Sequence, residues 1–521
     1  MTPPRRPRGS LARLSAAAVI TAMVVVSVGV LPQAPAAAVA EPRLFLPAVD
    51  QPPADLASYY GQALAWAPCS GGLSCAWLTV PLDYSAPAGA TIRIRVARYH
   101  ATGSPAQRQG SLIINPGGPG GSGVDFTSYV AEYVAPAVAA EFDIVGFDPR
   151  GVAQSAPITC LTGRQTSVWL ATDGSPSTRA QERTLMRRAA QVARGCLSKS
   201  PTLARHVGTE NTVRDMDILR QTLGDTQLNW LGFSYGTFLG TRYAEVFPDR
   251  VGRMALDGAL DPSLGAMEIS EGQSRGFQQA LKRFAADCAK RSSCPYRGSA
   301  QAVLRGINVL LAGLDRSPMP TDRGRPLNQA EAITAVFYPM YTTLLWPALR
   351  RALAQAEQGD GSGMLAISDM ASDRTGPDTF GSNMTSAFYA ISCWDLPAPP
   401  GSAGLRAAAA AWSKDADVPE LAKAMAWGNA PCTTWFGHSP RTPRPAATTT
   451  VAPILVVGTT YDPATPYWWS QALSRQLSTS TLLTYDGDGH TAYGGGSPCI
   501  DRAIDTYLLD GTMPARGTVC R

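Results

Sequence analysis

The feature that most restricts the fold of this chain is a serine placed between two glycines, in Gly232-Phe233-Ser234-Tyr235-Gly236. A segment predicted as a short buried strand, 228–231, precedes this motif, and a stretch of helical character at 237–246 follows it. A tight turn from strand to helix needs small residues two places to either side of its centre, because the backbone there is strained and closely packed. The pattern therefore predicts that the Ser234 hydroxyl stands above the end of a buried strand.

Strand and helix patterns alternate around this motif. Short apolar or alternating segments predict strands at 91–98, 111–114, 142–147, 228–231, 254–256, 454–457 and 481–485. The last of these strands is followed by a glycine-rich segment. A helix is expected at 211–223, ending at Gly224. Between the strands at 254–256 and 454–457 the patterns are mostly helical, at 270–290, 328–337, 344–358 and 405–427, with no clear strand among them. This order predicts the α/β class: a mostly parallel sheet with a large helical insertion.

The first 40 residues have the features of a secretory signal peptide. Arg5, Arg6, Arg8 and Arg13 precede an apolar run that begins near Ala16, and the segment ends in Ala38-Val39-Ala40. The apolar run is about 16 residues long, short of the roughly 20 that a membrane-spanning helix needs, so cleavage is preferred over an uncleaved anchor. The predicted division is a signal peptide at 1–40, a first core segment at 41–261, a helical cap at 262–445 and a second core segment at 446–521.

Charge and cysteine content narrow the function classes. The chain has 45 basic and 40 acidic residues, and four of the basic ones leave with the signal peptide, so the mature chain is nearly neutral and no nucleic-acid partner is expected. An even number of cysteines, ten, favours disulfides in an exported chain. The working hypothesis pairs sequence neighbours: Cys69 with Cys75, Cys160 with Cys196, Cys288 with Cys294, Cys393 with Cys432, and Cys499 with Cys520. A metal site is not expected, since no C-x-x-C motif occurs and the chain has four histidines.

A serine hydroxyl needs a general base to act as a nucleophile, and His490 is the preferred histidine. It lies in a predicted glycine-rich loop, 486–490, directly after the predicted strand at 481–485, and it comes after Ser234 and the candidate acids, as the order nucleophile, acid, histidine requires. For the acid, Asp462 is preferred because it follows the penultimate predicted strand. Asp257, at the end of another predicted strand, stays open as the alternative.

The oxyanion hole is predicted to combine two backbone amides. One belongs to Tyr235, directly after the nucleophile, and the other is assigned to Gly118 in the glycine-rich segment 115–123. A phosphate-binding loop is the rival interpretation of that segment, but no G-K-[ST] sequence is present. No cofactor is expected.

Several motifs together resemble the secreted tripeptidyl aminopeptidases of actinobacterial type, relatives of prolyl aminopeptidase within the α/β-hydrolases. The motifs are the segment 115–123, Phe147-Asp148-Pro149-Arg150-Gly151 with Ser155, the Ser234 turn, Tyr461-Asp462-Pro463-Ala464-Thr465-Pro466 and Gly487-Asp488-Gly489-His490, with 390–395 and Cys520 also matching. The resemblance implies an α/β-hydrolase fold, a helical cap after the sixth strand, and the triad Ser234, Asp462 and His490. Asn115 stands at or next to the position of a histidine in prolyl aminopeptidases, which argues against strict proline specificity.

The resemblance also implies a secreted serine exopeptidase that cleaves peptides near a free N-terminus. Recognition of a buried ammonium group needs carboxylates, and Asp261, Glu268, Glu271 and Asp395 are the candidates, although each could equally be an ordinary solvated or capping acid. The alternative within hydrolases is a carboxylesterase or lipase with the same triad. A catalytically silent binding protein is disfavoured by the complete triad. No membrane span is expected after signal cleavage, and the oligomeric state is not predicted.

Overall fold

The computed structural model describes residues 53–521, so the predicted signal peptide lies outside the described residues. The chain forms an α/β-hydrolase fold around a ten-stranded sheet with the order β1-β2-β3-β5-β4-β6-β7-β10-β11-β12. The antiparallel pairs are β1 with β2, β2 with β3, and β3 with β5; the other neighbours are parallel. The strands are β1 (Ala67–Pro68), β2 (Ser74–Pro81), β3 (Thr91–Tyr99), β4 (Gly110–Asn115), β5 (Phe142–Phe147), β6 (Leu228–Phe233), β7 (Val251–Asp257), β10 (Ile454–Tyr461), β11 (Ser480–Asp488) and β12 (Val519–Cys520).

The central strands are buried because helices cover both faces of the sheet. Every residue of β4 and β5 is buried, as expected for parallel strands without a solvent-facing side. The helices of the core are α1 (Ala57–Tyr60), α2 (Gly123–Tyr133), α3 (Pro136–Glu141), α4 (Gly163–Leu170), α5 (Arg179–Lys199), α6 (Thr209–Thr222), α7 (Tyr235–Val246), α16 (Tyr467–Gln476) and α17 (Pro498–Asp510).

A mainly helical segment separates β7 from β10. Its helices are α8 (Ala266–Ala289), α9 (Ala300–Arg316), α10 (Gln329–Phe337), α11 (Trp346–Ala356), α12 (Ser362–Ala371), α13 (Met384–Asp395), α14 (Ala403–Lys414) and α15 (Pro419–Trp427), with short 3-10 turns between some of them. Leu281, Phe284, Leu311 and Leu353 belong to a separate apolar cluster within this segment. We call the segment the cap, and its limits at 262 and 445 stay predictions.

The cap is mostly helical as expected, with one interruption, but the expectation of no strand was wrong. The helical pattern predicted at 405–427 is two helices, α14 and α15, because the chain turns at 415–418 and Pro419 begins the second one. The cap also contains a small antiparallel hairpin, β8 (Arg374–Gly376) with β9 (Thr379–Phe380), where no clear strand was expected. A hairpin this short has too few residues to produce an alternating pattern in the sequence.

All five cysteine pairs proposed from sequence neighbours form disulfides. They join Cys69 to Cys75, Cys160 to Cys196, Cys288 to Cys294, Cys393 to Cys432, and Cys499 to Cys520. Such a set is typical of proteins that fold in an oxidising compartment. Within residues 53–521, no helix is long and apolar enough to cross a membrane.

Candidate active site

Ser234 occupies the sharp turn between β6 and α7. Its backbone has φ 55° and ψ −123°, a conformation that residues other than glycine seldom adopt. A Cβ on Gly232 would lie 2.4 Å from the carbonyl oxygen of Gly236, and one on Gly236 would lie 2.8 Å from that of Asn115. The two flanking glycines are therefore required by close backbone approach, which is the reason the sequence motif predicts this turn.

The ends of the parallel strands bring the predicted site residues to one edge of the sheet. Phe233, next to Ser234, is in register with Asp257 of β7, and Asp257 is in register with Val457 of β10. The Ser234 amide donates to the Asp257 carbonyl oxygen at 2.9 Å. A Cβ on the next residue, Gly258, would lie 3.4 Å from Cε1 of His490, so the imidazole lies beside the end of β7, the strand next to the one that leads to Ser234.

His490 is paired with Asp462. The imidazole Nδ1 lies 2.9 Å from each carboxylate oxygen of Asp462, which is 1% exposed. The same carboxylate accepts hydrogen bonds from the amides of Ala464, Thr465 and Thr491, at 2.9, 2.8 and 3.2 Å. Because Nδ1 faces Asp462, Nε2 is the imidazole nitrogen that can take a proton from a nucleophile.

Asp257, the alternative acid, has other partners. It is fully buried, and its carboxylate accepts from the amides of Ala492 and Tyr493, at 2.9 and 2.8 Å for the closest pairs. Burial raises the pKa of Asp257 to about 6. The Asp257 side chain therefore binds the backbone just after His490 and does not bind the imidazole.

Thr465 was not assigned a role from the sequence, although it lies in a motif that was noted. Its hydroxyl lies 3.0 Å from the second Asp462 oxygen and 3.3 Å from Nδ1 of His490. A residue three places after an acid on a loop gives no periodic signal, so only its inclusion in the Asp462 motif marked it.

The other three histidines have local partners. His100 Nε2 lies 2.9 Å from the Ser74 hydroxyl, and His438 Nδ1 lies 2.9 Å from the Ser439 carbonyl oxygen. The main-chain oxygen of His206 accepts from Arg150, and burial lowers the pKa of the His206 imidazole. Among the described residues, no group of three or more His, Cys, Asp or Glu side chains could hold a metal ion.

The glycine-rich segment 115–123 packs against the Ser234 turn. A Cβ on Gly117 would lie 2.5 Å from the Phe233 carbonyl oxygen and 2.9 Å from the Tyr235 amide nitrogen. Asn115 shapes the segment, since its Oδ1 accepts from the Gly117 amide at 2.9 Å. The amides assigned to the oxyanion hole, those of Gly118 and Tyr235, therefore belong to two backbone segments in direct contact.

The Phe147-Asp148-Pro149-Arg150-Gly151 motif supports the same segment. Asp148 is buried and accepts from the Ser122 hydroxyl at 2.6 Å and from the Val124 amide at 3.2 Å. Arg150 is fully buried and forms a bidentate pair with Asp215 of α6, at 2.7 and 2.6 Å. The motif thus ties the start of α2 and the body of α6 to the end of β5.

Replacing Gly117 by alanine is expected to lower kcat about 10²- to 10³-fold. The backbone has φ +88° and no room for a Cβ, so alanine must push the segment away from the turn and misplace the Gly118 amide, which is predicted to be an oxyanion donor. Steady-state kinetics on a chromogenic ester or peptide would measure the loss.

The matched control is Gly313→Ala in α9, where a Cβ meets nothing within 4 Å. This change should leave kcat unaltered and add stability, by up to about 1 kcal/mol. Equal kcat for Gly117→Ala and the parent protein would show that the segment does not position an oxyanion donor.

Three of the four acids considered for amine recognition surround one pocket. Asp261, Glu268 and Glu271 line a pocket of about 330 Å³ between α8 and α16, and its lining residues include neither Ser234 nor His490. Glu268 accepts from the Gly265 amide at 2.7 Å, which caps the start of α8. Glu271 is paired with Arg275 on the same helix.

Asp395 has a different environment. It ends α13 of the cap, is 8% exposed, and accepts from the Thr209 amide at 3.0 Å and the Thr209 hydroxyl at 2.6 Å. The Thr209 hydroxyl lies 2.5 Å from the phenol oxygen of Tyr235, the residue after Ser234. Asp395 is therefore connected to the nucleophile turn by two successive hydrogen bonds, through Thr209 to Tyr235.

The free energy of unfolding should carry a pH dependence from Asp395. Burial raises its pKa from 3.8 to about 7, so between these values the folded state holds a proton that the unfolded state has lost. Protonated Asp395 therefore favours the folded state, and this stabilisation is fully present below about pH 4. It is lost as the pH rises through about 7, with a slope of the free energy of unfolding of up to about 1.4 kcal/mol per pH unit. Asp395→Asn removes the titration, so the Tm of the variant minus that of the parent should rise between about pH 4 and pH 7 and level off above. A constant difference across that range would contradict the buried, protonated state.

The comparisons with known proteins agree with this architecture. Residues 418–520 match the family model described as TAP-like protein. The serine protease Hip1 of Mycobacterium tuberculosis is 36% identical over 485 residues, which cover 88% of this chain and 91% of that protein. Carboxylesterase B of the same organism is 38% identical, covering 86% of each chain. A tripeptidyl aminopeptidase of Streptomyces lividans is 33% identical, covering 86% of this chain and 83% of that one.

Proposed function

Since this chain belongs to the α/β-hydrolase family of serine peptidases that includes the tripeptidyl aminopeptidases, we propose that it removes short peptides from substrates with a free N-terminus. We propose Ser234 as the nucleophile, His490 as the general base and Asp462 as the acid. The observation that carries the proposal is the contact of His490 Nδ1 with both Asp462 oxygens at 2.9 Å, at the sheet edge where Ser234 holds its strained turn.

In the proposed mechanism, Nε2 of His490 takes the Ser234 proton as Oγ attacks the scissile carbonyl carbon. The developing oxyanion accepts hydrogen bonds from the amides of Gly118 and Tyr235. The imidazolium, stabilised by Asp462, then protonates the leaving amine, and an acyl-enzyme forms. Water, deprotonated by His490, attacks the ester; the N-terminal peptide leaves with a free carboxylate, and the proton returns to Ser234.

For the substrate amine, Asp395 is the acid we favour among the four candidates. It is buried beside the nucleophile turn, and burial raises its pKa even though the amide and hydroxyl of Thr209 donate hydrogen bonds to it. A substrate ammonium group would supply the positive charge that stabilises the ionised carboxylate. Asp261, Glu268 and Glu271 stay weaker candidates, because Glu268 and Glu271 have local structural partners and all three line a pocket that excludes Ser234 and His490.

Secretion is part of the proposal, with the segment 1–40 as the cleaved signal peptide. The five disulfides support it, since reduced cytosol would not maintain them. Amino-terminal sequencing of the protein recovered from culture medium would test cleavage after Ala40.

The experiment compares three chromogenic substrates: a tripeptide with a free amine, the same tripeptide N-acetylated, and a short acyl ester. An aminopeptidase should cleave the free tripeptide at least about tenfold faster in kcat/KM than the acetylated one, because a buried carboxylate left without its ammonium partner costs binding energy. Asp395→Asn should reduce that preference, whereas Glu271→Gln serves as the matched control and should keep it.

Equal rates on the two peptides would rule out recognition of the free N-terminus. Ester turnover without peptide turnover would favour the carboxylesterase alternative, for which the relative named carboxylesterase B is the supporting observation.

A further inference from the structure

The cap contacts the loop that carries His490 through main chain and side chain together. The His490 amide donates to the carbonyl oxygen of Tyr341 at 2.9 Å. The ring of Tyr341 also meets the imidazole edge-to-face, with 5.3 Å between centroids and an interplanar angle of 88°. Tyr341 belongs to a short 3-10 turn of the cap and packs against Phe277 of α8.

Helix α8 of the cap also packs on the loop that carries Asp462. Gln273 donates to the carbonyl oxygen of Ala464 at 2.9 Å. A Cβ on Gly276 would lie 2.6 Å from the carbonyl oxygen of Pro463 and 3.1 Å from that of Asp462. Glycine at this position lets the helix approach the acid loop at backbone distance.

One side chain of α8 touches the two strand ends from which these loops begin: Tyr461 ends β10, Asp488 ends β11, and the two residues are in register. Arg283 donates from Nε and from one terminal nitrogen to the two oxygens of Asp488, at 2.7 and 2.8 Å. Its guanidinium lies 4.1 Å from the centroid of the Tyr461 ring. Asp488 precedes His490 by two residues and Tyr461 directly precedes Asp462, so Arg283 joins the neighbours of both members of the pair.

We propose that Arg283 is a positioning residue, through which the cap holds the His490 and Asp462 loops at the separation that their hydrogen bond requires. This inference rests on the proposed triad. It gives the cap a role in the proposed triad: displacement of α8 would remove its contacts with Asp488 and Tyr461 and loosen the acid–histidine pair. A guanidinium that binds a carboxylate through two hydrogen bonds and stacks on an aromatic ring fixes direction as well as distance, which the ammonium group of a lysine cannot do.

The partial exposure of the pair makes the inference testable. The Arg283 side chain is 44% exposed and that of Asp488 is 19% exposed, and ion pairs with this much solvent contact contribute little to global stability. A purely structural surface pair would therefore leave both Tm and kcat nearly unchanged when removed. A positioning role predicts a small change in Tm together with a large change in kcat.

The test uses the full-length mature protein with Arg283→Met, Arg283→Lys and the neighbouring control Lys282→Met. Lys282 lies on the same helix, is 57% exposed and pairs with Asp417 at 2.8 Å, so its removal costs a similar surface pair away from the His490 loop. For each protein, kcat is divided by the number of active sites titrated with a fluorophosphonate, which excludes losses due to misfolded protein.

Arg283→Met is expected to lower kcat per site about 10- to 100-fold with KM changed less than about threefold, Arg283→Lys should be intermediate, and Lys282→Met should match the parent. Should Arg283→Met prove unstable, Arg283→Lys carries the comparison. Asp488→Asn in the Arg283→Met background should add little further loss, because both changes remove one interaction.

If Arg283→Met had the same kcat per site as the control Lys282→Met, the inference would be overturned while the triad stayed intact. If only Arg283→Lys folds, the same comparison is made with that variant. Activity that survives loss of Ser234 would instead refute the proposed function.

Discussion

Ser234→Ala is expected to lower kcat by about 10⁶, the largest effect of any single substitution in this chain. The hydroxyl is the atom that would form the acyl-enzyme, and neither His490 nor the oxyanion amides can replace it. Alanine has no more difficulty than serine with φ 55°, so the turn and the Tm should persist. Hydrolysis of the free tripeptide substrate measures the loss, with circular dichroism to establish that the variant is folded.

The matched control for this substitution is Ser270→Ala in the cap. The Ser270 hydroxyl accepts from Asn429 at 2.8 Å and has no role in the proposed site, so its removal should leave kcat unchanged. Parent-level activity in Ser234→Ala would show that another residue is the nucleophile.

Asp462→Asn is expected to lower kcat by about 10⁴. Asp462 meets the imidazole Nδ1 and three backbone amides, all of which require an acceptor. An asparagine places an NH₂ group against some of these donors, so it either loses a hydrogen bond or selects the imidazole tautomer whose Nε2 carries a proton and cannot act as a base. The pH profile of kcat in the variant, compared with the parent, would report on the histidine directly.

The companion variant Asp257→Asn separates the two candidate acids. Asp257 meets the amides of Ala492 and Tyr493, so its change should cost about 1–3 kcal/mol in the free energy of unfolding and less than about tenfold in kcat. If Asp257→Asn lost four orders of magnitude and Asp462→Asn lost little, the acid assignment would be reversed.

The sheet and the nucleophile turn could be predicted because their signals are local. The segment 228–231 is mostly apolar since β6 is covered on both faces, and Gly232 is fixed by close approach to the Gly236 backbone within the same motif. The cysteine pairing was also predictable, because each partner of a pair is the next cysteine along the chain. The structure differs at element ends: β11 continues to Asp488, so the residues expected to form a loop before His490 are largely strand.

Contacts between distant segments could not be predicted. Tyr341 and His490 are far apart in sequence, as are Arg283 and Asp488, and neither pair produces a periodic pattern. The same limit applies to the acids considered for the substrate amine, since a sequence does not show which carboxylates a fold buries.

The central claim, that Ser234 is the nucleophile of a serine peptidase, is tested most directly by covalent trapping. The mature protein is treated with a fluorophosphonate and digested, and the modified residue is identified by mass spectrometry. The account predicts one adduct per chain, on the Oγ of Ser234, with loss of tripeptide hydrolysis in proportion to labelling. Full labelling at another residue, or hydrolysis that continues after Ser234 is fully modified, would contradict it.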